Sequence, residues 1–423
     1  MYKKIVLNNG LKIVLADMPH MESISIGVWI AAGGRYERED QAGISHFLEH
    51  MVFKGTKNRS GQQIKESIEG IGGALNAFTG EEFTCYLAKV LSKDATVAID
   101  TLTDMALNPK LEAKDFLKER FVILEEIKMY VDMPNQYVHE LLVELLWPDH
   151  PLGRPLAGTE KTVSSLHQKD LAVYRSAMYN PKNIVIAIAG KLPSHNLIKG
   201  IEKIFRHVKT GPKKGFVPVR LQQKKPMTNF HSRNTEQTHI ALGFHGYSRF
   251  SSDRYTLGLL NIILGGNMSS RLFQEVREEL GLAYEISSSA RCFYDTGALV
   301  VSAGIDTRKI SKAIKVIMGV LKRMKHRKVG KEEFRRAKEF YKGQLLMLFE
   351  DTMSHMLWAG EKSAYGDKTL RAKDVVRHID EVTIDDVQRV SRDVFKNNKL
   401  SLASVGPIKK KIEEEVKKRL SDL

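Results

Sequence analysis

The sequence predicts an α+β fold made of two homologous domains, each a mostly antiparallel sheet packed with helices. Three observations predict it. Short β-rich runs open each half and longer helical stretches follow them. The helical stretch FLKERFVILEEI (Phe116 to Ile127) has a partner in FRRAKEFYKGQL (Phe334 to Leu345). Each precedes another helical stretch with a Leu-Trp pair, Leu146-Trp147 and Leu357-Trp358, as duplication of one domain would produce. Between the halves, KTGPKKGFVPVRLQQKKP (Lys209 to Pro226) holds six basic residues, three prolines and no acid, which reads as a linker. The expected organisation is a domain at 1–208, a linker at 209–226 and a second domain at 227–423. A chain of 423 residues is long for a single core, in keeping with two domains.

In the first half the strand candidates are Lys3–Leu7, Leu11–Ala16, Ser23–Ala31, Phe83–Val90 and Asn183–Ala189. In the second they are His239–Phe244, Ile286–Cys292 and Gly297–Gly304. The basic and then apolar start, MYKKIVLNNGLKIVL, is interrupted at Asn8-Asn9-Gly10. That is a hairpin turn between two strands, so the segment reads as mature structure rather than a signal peptide. No apolar run reaches the length of a membrane span. The two cysteines, Cys85 and Cys292, stand far apart in no ligand spacing and read as buried strand residues in a reducing compartment. A cytoplasmic protein of bacterial type is the expectation, with no membrane partner.

Apolar residues at 42% and charged residues at 27% describe an ordinary globular protein. A net charge of +16 permits acidic partners. Much of that charge is interleaved with acids, however, as in KKKIEEEVKKRL (Lys409 to Leu420), and no nucleic-acid-binding motif occurs. A solvated surface is the better reading, and no nucleic-acid partner is expected.

The chemistry lies in GISHFLEHMVFKG (Gly43 to Gly55). On a helix, His46 and His50 stand one above the other, the bite that a divalent metal needs, and Glu49 flanks the same face. Neutral imidazoles suit zinc, and a nearby carboxylate can serve as base toward a water. H-x-x-E-H is the inverted form of the zinc-peptidase motif. A third ligand is wanted. Glu119 and Glu126 lie two helical turns apart and share a face, while Glu125 points elsewhere. Spacing alone leaves both as candidates or as solvated carboxylates. His139, His150 and His167 lack motif spacing and read as surface or capping residues.

HFLEH followed by ERFVILEEI resembles the pitrilysin family of inverzincin metallopeptidases, nearest its mitochondrial-processing-peptidase-like branch and bacterial relatives. The likeness runs through GGRYE (Gly33 to Glu37), GGALNAFT (Gly72 to Thr79) and SSRLFQEVREELGLAY (Ser269 to Tyr284). It implies a zinc-dependent endopeptidase acting on unfolded or extended peptides, with one Zn2+ per chain. In that pattern His46, His50 and Glu126 hold the metal, Glu49 is the base and Glu119 supports a ligand from behind. The stretch with Gly73, Ala74, Asn76, Ala77 and Phe78 resembles an edge strand to which a peptide substrate adds by backbone hydrogen bonds. Arg277 and Tyr284 resemble a pair that grips the substrate and helps stabilise the oxyanion. Larger single-chain relatives close four such domains as a clamshell. Two domains here imply half a clamshell and a homodimer, with Arg277 and Tyr284 acting on the partner's site. The second domain has no H-x-x-E-H: Ala337 stands opposite Glu119 and Gln344 opposite Glu126. A non-catalytic scaffold of the same fold is the alternative.

Overall fold

The computed structural model describes residues 2–193, 196–366, 371–421 and 423. Among them, eleven strands form a six-stranded and a five-stranded sheet. The first holds β1 (Tyr2–Val6), β2 (Lys12–Asp17), β3 (Ser23–Ile30), β4 (Ala74–Thr79), β5 (Thr84–Leu91) and β6 (Ile184–Gly190), in the order β1-β2-β6-β3-β5-β4. The second holds β7 (Met227–Ser232), β8 (Gln237–His245), β9 (Ala283–Cys292), β10 (Gly297–Asp306) and β11 (Leu400–Gly406), in the order β7-β11-β8-β10-β9. With β1 set aside, the two orders are the same topology, β2 to β6 matching β7 to β11 in turn. The duplication read from two helical segments therefore extends to the whole sheet.

Both sheets are mostly antiparallel, with one qualification. The strand closing each unit of sequence pairs in parallel with the one that opens it, β6 with β2 and β11 with β7. Each sheet is therefore mixed. Strand β11, LSLASVG, is buried throughout but built from small residues in a weak alternation, and it escaped the sequence reading. So did β7, MTNFHS, which is half-buried along most of its length.

The chain divides into two units that are not contiguous. One comprises Met1–Ile127, Arg154–Val217 and Leu346–Ala372; the other comprises Lys128–Gly153, Pro218–Leu345 and Lys373–Leu423. Each unit thus includes one helix from the other half of the sequence, a departure from the contiguous halves expected at 1–208 and 227–423. Helix Thr352–Tyr365 packs on β2, β3 and β6, while Pro134–Leu146 packs on β8 and β11. These are the two helices ahead of or spanning the Leu-Trp pairs.

The physical reason is sheet burial. Strand β6, IVIAIAG, is buried on both faces and needs a cover on each. One face meets the unit's larger core. On the other, Val14, Trp29, Val185 and Ala187 pack against Met356 and Ala359 of the exchanged helix. The approach is close enough to demand glycine. A Cβ on Gly27 would stand 2.4 Å from Met356 Sδ, and one on Gly360 would stand 2.1 Å from Trp29 Nε1.

The basic stretch expected as a linker is also divided. Up to Val217 it belongs to the first unit, where the buried Arg35 guanidinium lies 3.8 Å from the Phe216 ring centroid and donates from Nη2 to Val217 O at 3.2 Å. No helix among the described residues is long and apolar enough to cross a membrane.

Candidate metal centre

Helix Ile44–Val52 has nine residues, and Ile44, Ser45, Phe47, Leu48, Met51 and Val52 are buried. That leaves His46, Glu49 and His50 on the remaining face, spaced by one helical turn. The helix starts at Gly43, whose φ of 94° suits glycine. The second helix of the site, Ala113–Asp132, buries only Phe116, Glu119 and Ile123 among its twenty residues. Phe116 stacks on Phe47 with centroids 4.6 Å apart and rings nearly parallel. One face of the helix therefore meets the first helix, and Glu126, two turns beyond Glu119, follows it there.

The outcome is a convergence of three ligand-type side chains. His46, His50 and Glu126 each offer an atom within 4.8 Å of the others. Glu126 Oε2 stands 3.7 Å from His46 Nε2 and 3.6 Å from His50 Nε2, almost midway. The two imidazole centroids are 4.7 Å apart. Burial, with His50 adding to it, pushes the His46 pKa down to about 4. Its imidazole is thus neutral at physiological pH, with a lone pair free for a metal. Two imidazoles and a carboxylate are a donor set that suits zinc.

Glu119, only 6% exposed, lies behind this group. Its Oε2 accepts from His50 Nδ1 at 3.1 Å, and its Oε1 meets Lys54 Nζ at 2.6 Å. A proton on Nδ1 leaves Nε2 unprotonated on the side of Glu126. Glu49 accepts a short hydrogen bond from Thr79 Oγ1 in the edge strand β4. Burial raises the Glu49 pKa, the Thr79 and His50 contacts oppose that rise, and Glu126 adds to it. Thr79 and Lys54 were not singled out from sequence. Lys54 follows His50 by one helical turn, which was a usable signal. Thr79 closes the GGALNAFT stretch, but its partner is visible only in three dimensions.

Among the described residues strand β4 is a sheet edge, pairing only with β5. Gly73 precedes it, and Ala74, Asn76, Ala77 and Phe78 lie in it. Alternation places Asn76 and Phe78 on the face opposite Thr79, both exposed. Phe78 packs edge-on against Trp29 at 5.6 Å, and Asn76 Oδ1 accepts from Ala77 N at 2.8 Å. Arg277 and Tyr284 belong to the second unit. They are brought together there, the guanidinium carbon 5.3 Å from the tyrosine ring centroid. Arg277 sits in a π-helical turn, Phe273–Glu279, and Tyr284 is 78% exposed at the start of β9.

Residues 12–160 match the family described as insulinase (peptidase family M16), and residues 165–341 match the peptidase M16 inactive domain. An uncharacterized zinc protease of Bacillus subtilis, YmxG, is 38% identical over 96% of this chain and 98% of its own length. An uncharacterized zinc protease of Streptomyces coelicolor is 35% identical over 97% of this chain and 90% of its own.

This chain belongs to peptidase family M16.

Among solved structures, a protease from Helicobacter pylori superposes with a TM-score of 0.90 at 22% identity, covering 96% of this M16 chain and 99% of the other. A peptidase M16 inactive domain from Pseudomonas fluorescens does so with a TM-score of 0.90 at 18% identity, covering 97% and 98%. At such identities these likenesses concern the fold alone. The H-x-x-E-H helix falls inside the segment matched at 12–160, while the segment matched to the inactive domain, 165–341, begins in the first unit, holds most of its length in the second and contains no such motif.

Proposed function

We propose that this M16 chain is a zinc endopeptidase of processing-peptidase type, hydrolysing unfolded or extended peptides. The observation that carries the reading is the convergence of His46, His50 and Glu126 beside a half-buried Glu49. The three would hold one zinc ion. A zinc ion bound there acts as a Lewis acid toward a peptide carbonyl and eases the loss of a proton from water.

The remaining steps fall to the chain's own side chains. An extended peptide adds to the free edge of β4, held by backbone hydrogen bonds near Ala74 to Phe78, which selects unfolded segments with little demand on side-chain identity. A carboxylate oxygen of Glu49 takes the proton of the attacking water. The tetrahedral centre then collapses, the C–N bond breaks and Glu49 returns the proton to the departing amine. Arg277 and Tyr284 stabilise the oxyanion by donating to it. In the proposed homodimer they do so at the partner's site. A specific activity that stays flat on dilution to monomers would overturn the dimer requirement.

The test compares wild type with Glu49→Gln on a long unstructured peptide, after zinc loading. The variant retains all three ligands and lacks the base. Cleavage by wild type alone supports the proposal. Equal cleavage by both overturns the role of Glu49, and failure of wild type to bind zinc overturns the site. Zinc binding without cleavage of any extended peptide would favour a scaffold of the same fold.

A further inference from the structure

The two histidines of the site are held differently. The His50 ring is fixed through Nδ1 by Glu119. His46 Nδ1 is buried and has no hydrogen-bond partner among the described residues. No hydrogen bond at Nδ1 fixes the ring, which packs edge-on against His50, so its aim leans on the backbone of its own helical turn. What fixes that turn therefore matters for the site.

The turn is the first of helix Ile44–Val52, where N–H groups have no partner inside the helix. Gly43 has no side chain with which to cap them. Glu37, six residues earlier and 5% exposed, supplies the acceptor. Its Oε2 accepts from Gly43 N at 2.8 Å and its Oε1 from Ser45 N at 2.8 Å. One carboxylate thus spans two amides, the second immediately before His46. Two further contacts hold this arrangement: Arg154 Nη1 donates to Glu37 O at 3.1 Å, and Ser45 Oγ shares a hydrogen bond of 2.8 Å with Tyr174 OH. Charge-assisted bonds to a buried carboxylate are short and directional, so they restrict rotation of the helix about its axis.

We infer that Glu37 is a positioning residue for the metal centre, setting the helical turn that aims His46 and so doing for that ligand what Glu119 does for His50. The inference rests on the zinc-site reading above. Its test is metal affinity and geometry in Glu37→Gln, which keeps the shape but places an amide donor against one of the two N–H groups. Zinc affinity should fall by about tenfold, the lower end for losing an outer support of a ligand. The visible absorption of the cobalt-substituted protein should shift. Asp104→Asn serves as control. It breaks a different buried carboxylate cluster, with Thr56, Asn58, Arg59 and Asn108, and should lower stability while leaving affinity and the cobalt spectrum intact. A folded Glu37→Gln protein with wild-type affinity and spectrum overturns the inference, while wild-type zinc binding keeps the site reading standing. Should that variant not fold, amide exchange in the unaltered protein decides. Gly43 and Ser45 must be protected well beyond the first-turn amides of other helices, and fast exchange at both overturns the role.

Discussion

Replacing Glu119 with glutamine gives the most direct measure of how the zinc ligands are supported. Glu119 Oε1 faces Lys54 Nζ and Oε2 faces His50 Nδ1. In Glu119→Gln the single amide oxygen can serve only one of them. The lysine ammonium can only donate, so the oxygen turns to Lys54. The amide NH2 then confronts His50 Nδ1. A zinc ion on Nε2 needs the proton on Nδ1, so two donors meet and the metal-competent tautomer loses its support. Outer partners of this kind are worth about 10–100-fold in affinity, which is roughly 1.4–2.7 kcal/mol. Competition against a chromophoric zinc chelator near neutral pH reads this directly. Adding Lys54→Met frees the glutamine oxygen to turn back to His50, and the double variant should recover part of the loss. A folded Glu119→Gln protein with zinc affinity within about twofold of wild type would refute the reasoning, because no other residue is placed to orient His50 by hydrogen bond among the described residues.

Three further outcomes are expected. Thr79→Val removes the hydroxyl that lowers the Glu49 pKa against its burial, so the acid limb of the kcat/KM profile should move to higher pH; an unmoved limb would detach Thr79 from the base. Burial, with Lys399 adding to it, pushes the pKa of His245 down to about 4, below the ~6.5 of an unfolded histidine. Because the unfolded state binds the proton first, the stability of that unit is whole above about pH 6.5 and falls by about 3 kcal/mol on acidification to about pH 4. Denaturant titrations at a series of pH values should show this loss, and His245→Gln should flatten it. Gly360→Ala would ordinarily strengthen a helix by up to ~1 kcal/mol. Here its Cβ would collide with Trp29, and overpacking costs about 1–3 kcal/mol. Its melting temperature should drop, and a rise would mean the exchanged helix is not tightly seated.

Much of the site was legible because its chemistry is local. His46, Glu49 and His50 share a face by helical geometry alone, and the apolar residues between them say which face is buried. Spacing made Glu119 and Glu126 legible as a pair on one face, and only the family resemblance separated ligand from support. That distinction depends on Phe116 stacking against Phe47, which sets the height of one helix against the other. Thr79 and Glu37 reach the site from a strand and a preceding turn, and no periodicity announces either.

The sequence by itself determined the two-fold repeat, the α+β class and the H-x-x-E-H helix, since each depends on patterns within a few turns or strands. Tertiary structure alone decided which helix covers which sheet. Helices Pro134–Leu146 and Thr352–Tyr365 are exchanged between the units because β6 and β11 are buried on both faces and require a second cover. Hydrophobic patterning states that a face must be buried, not against what. The partner is chosen by close fit, such as Gly27 and Gly360 against Met356 and Trp29, and fit exists only once the chain has folded.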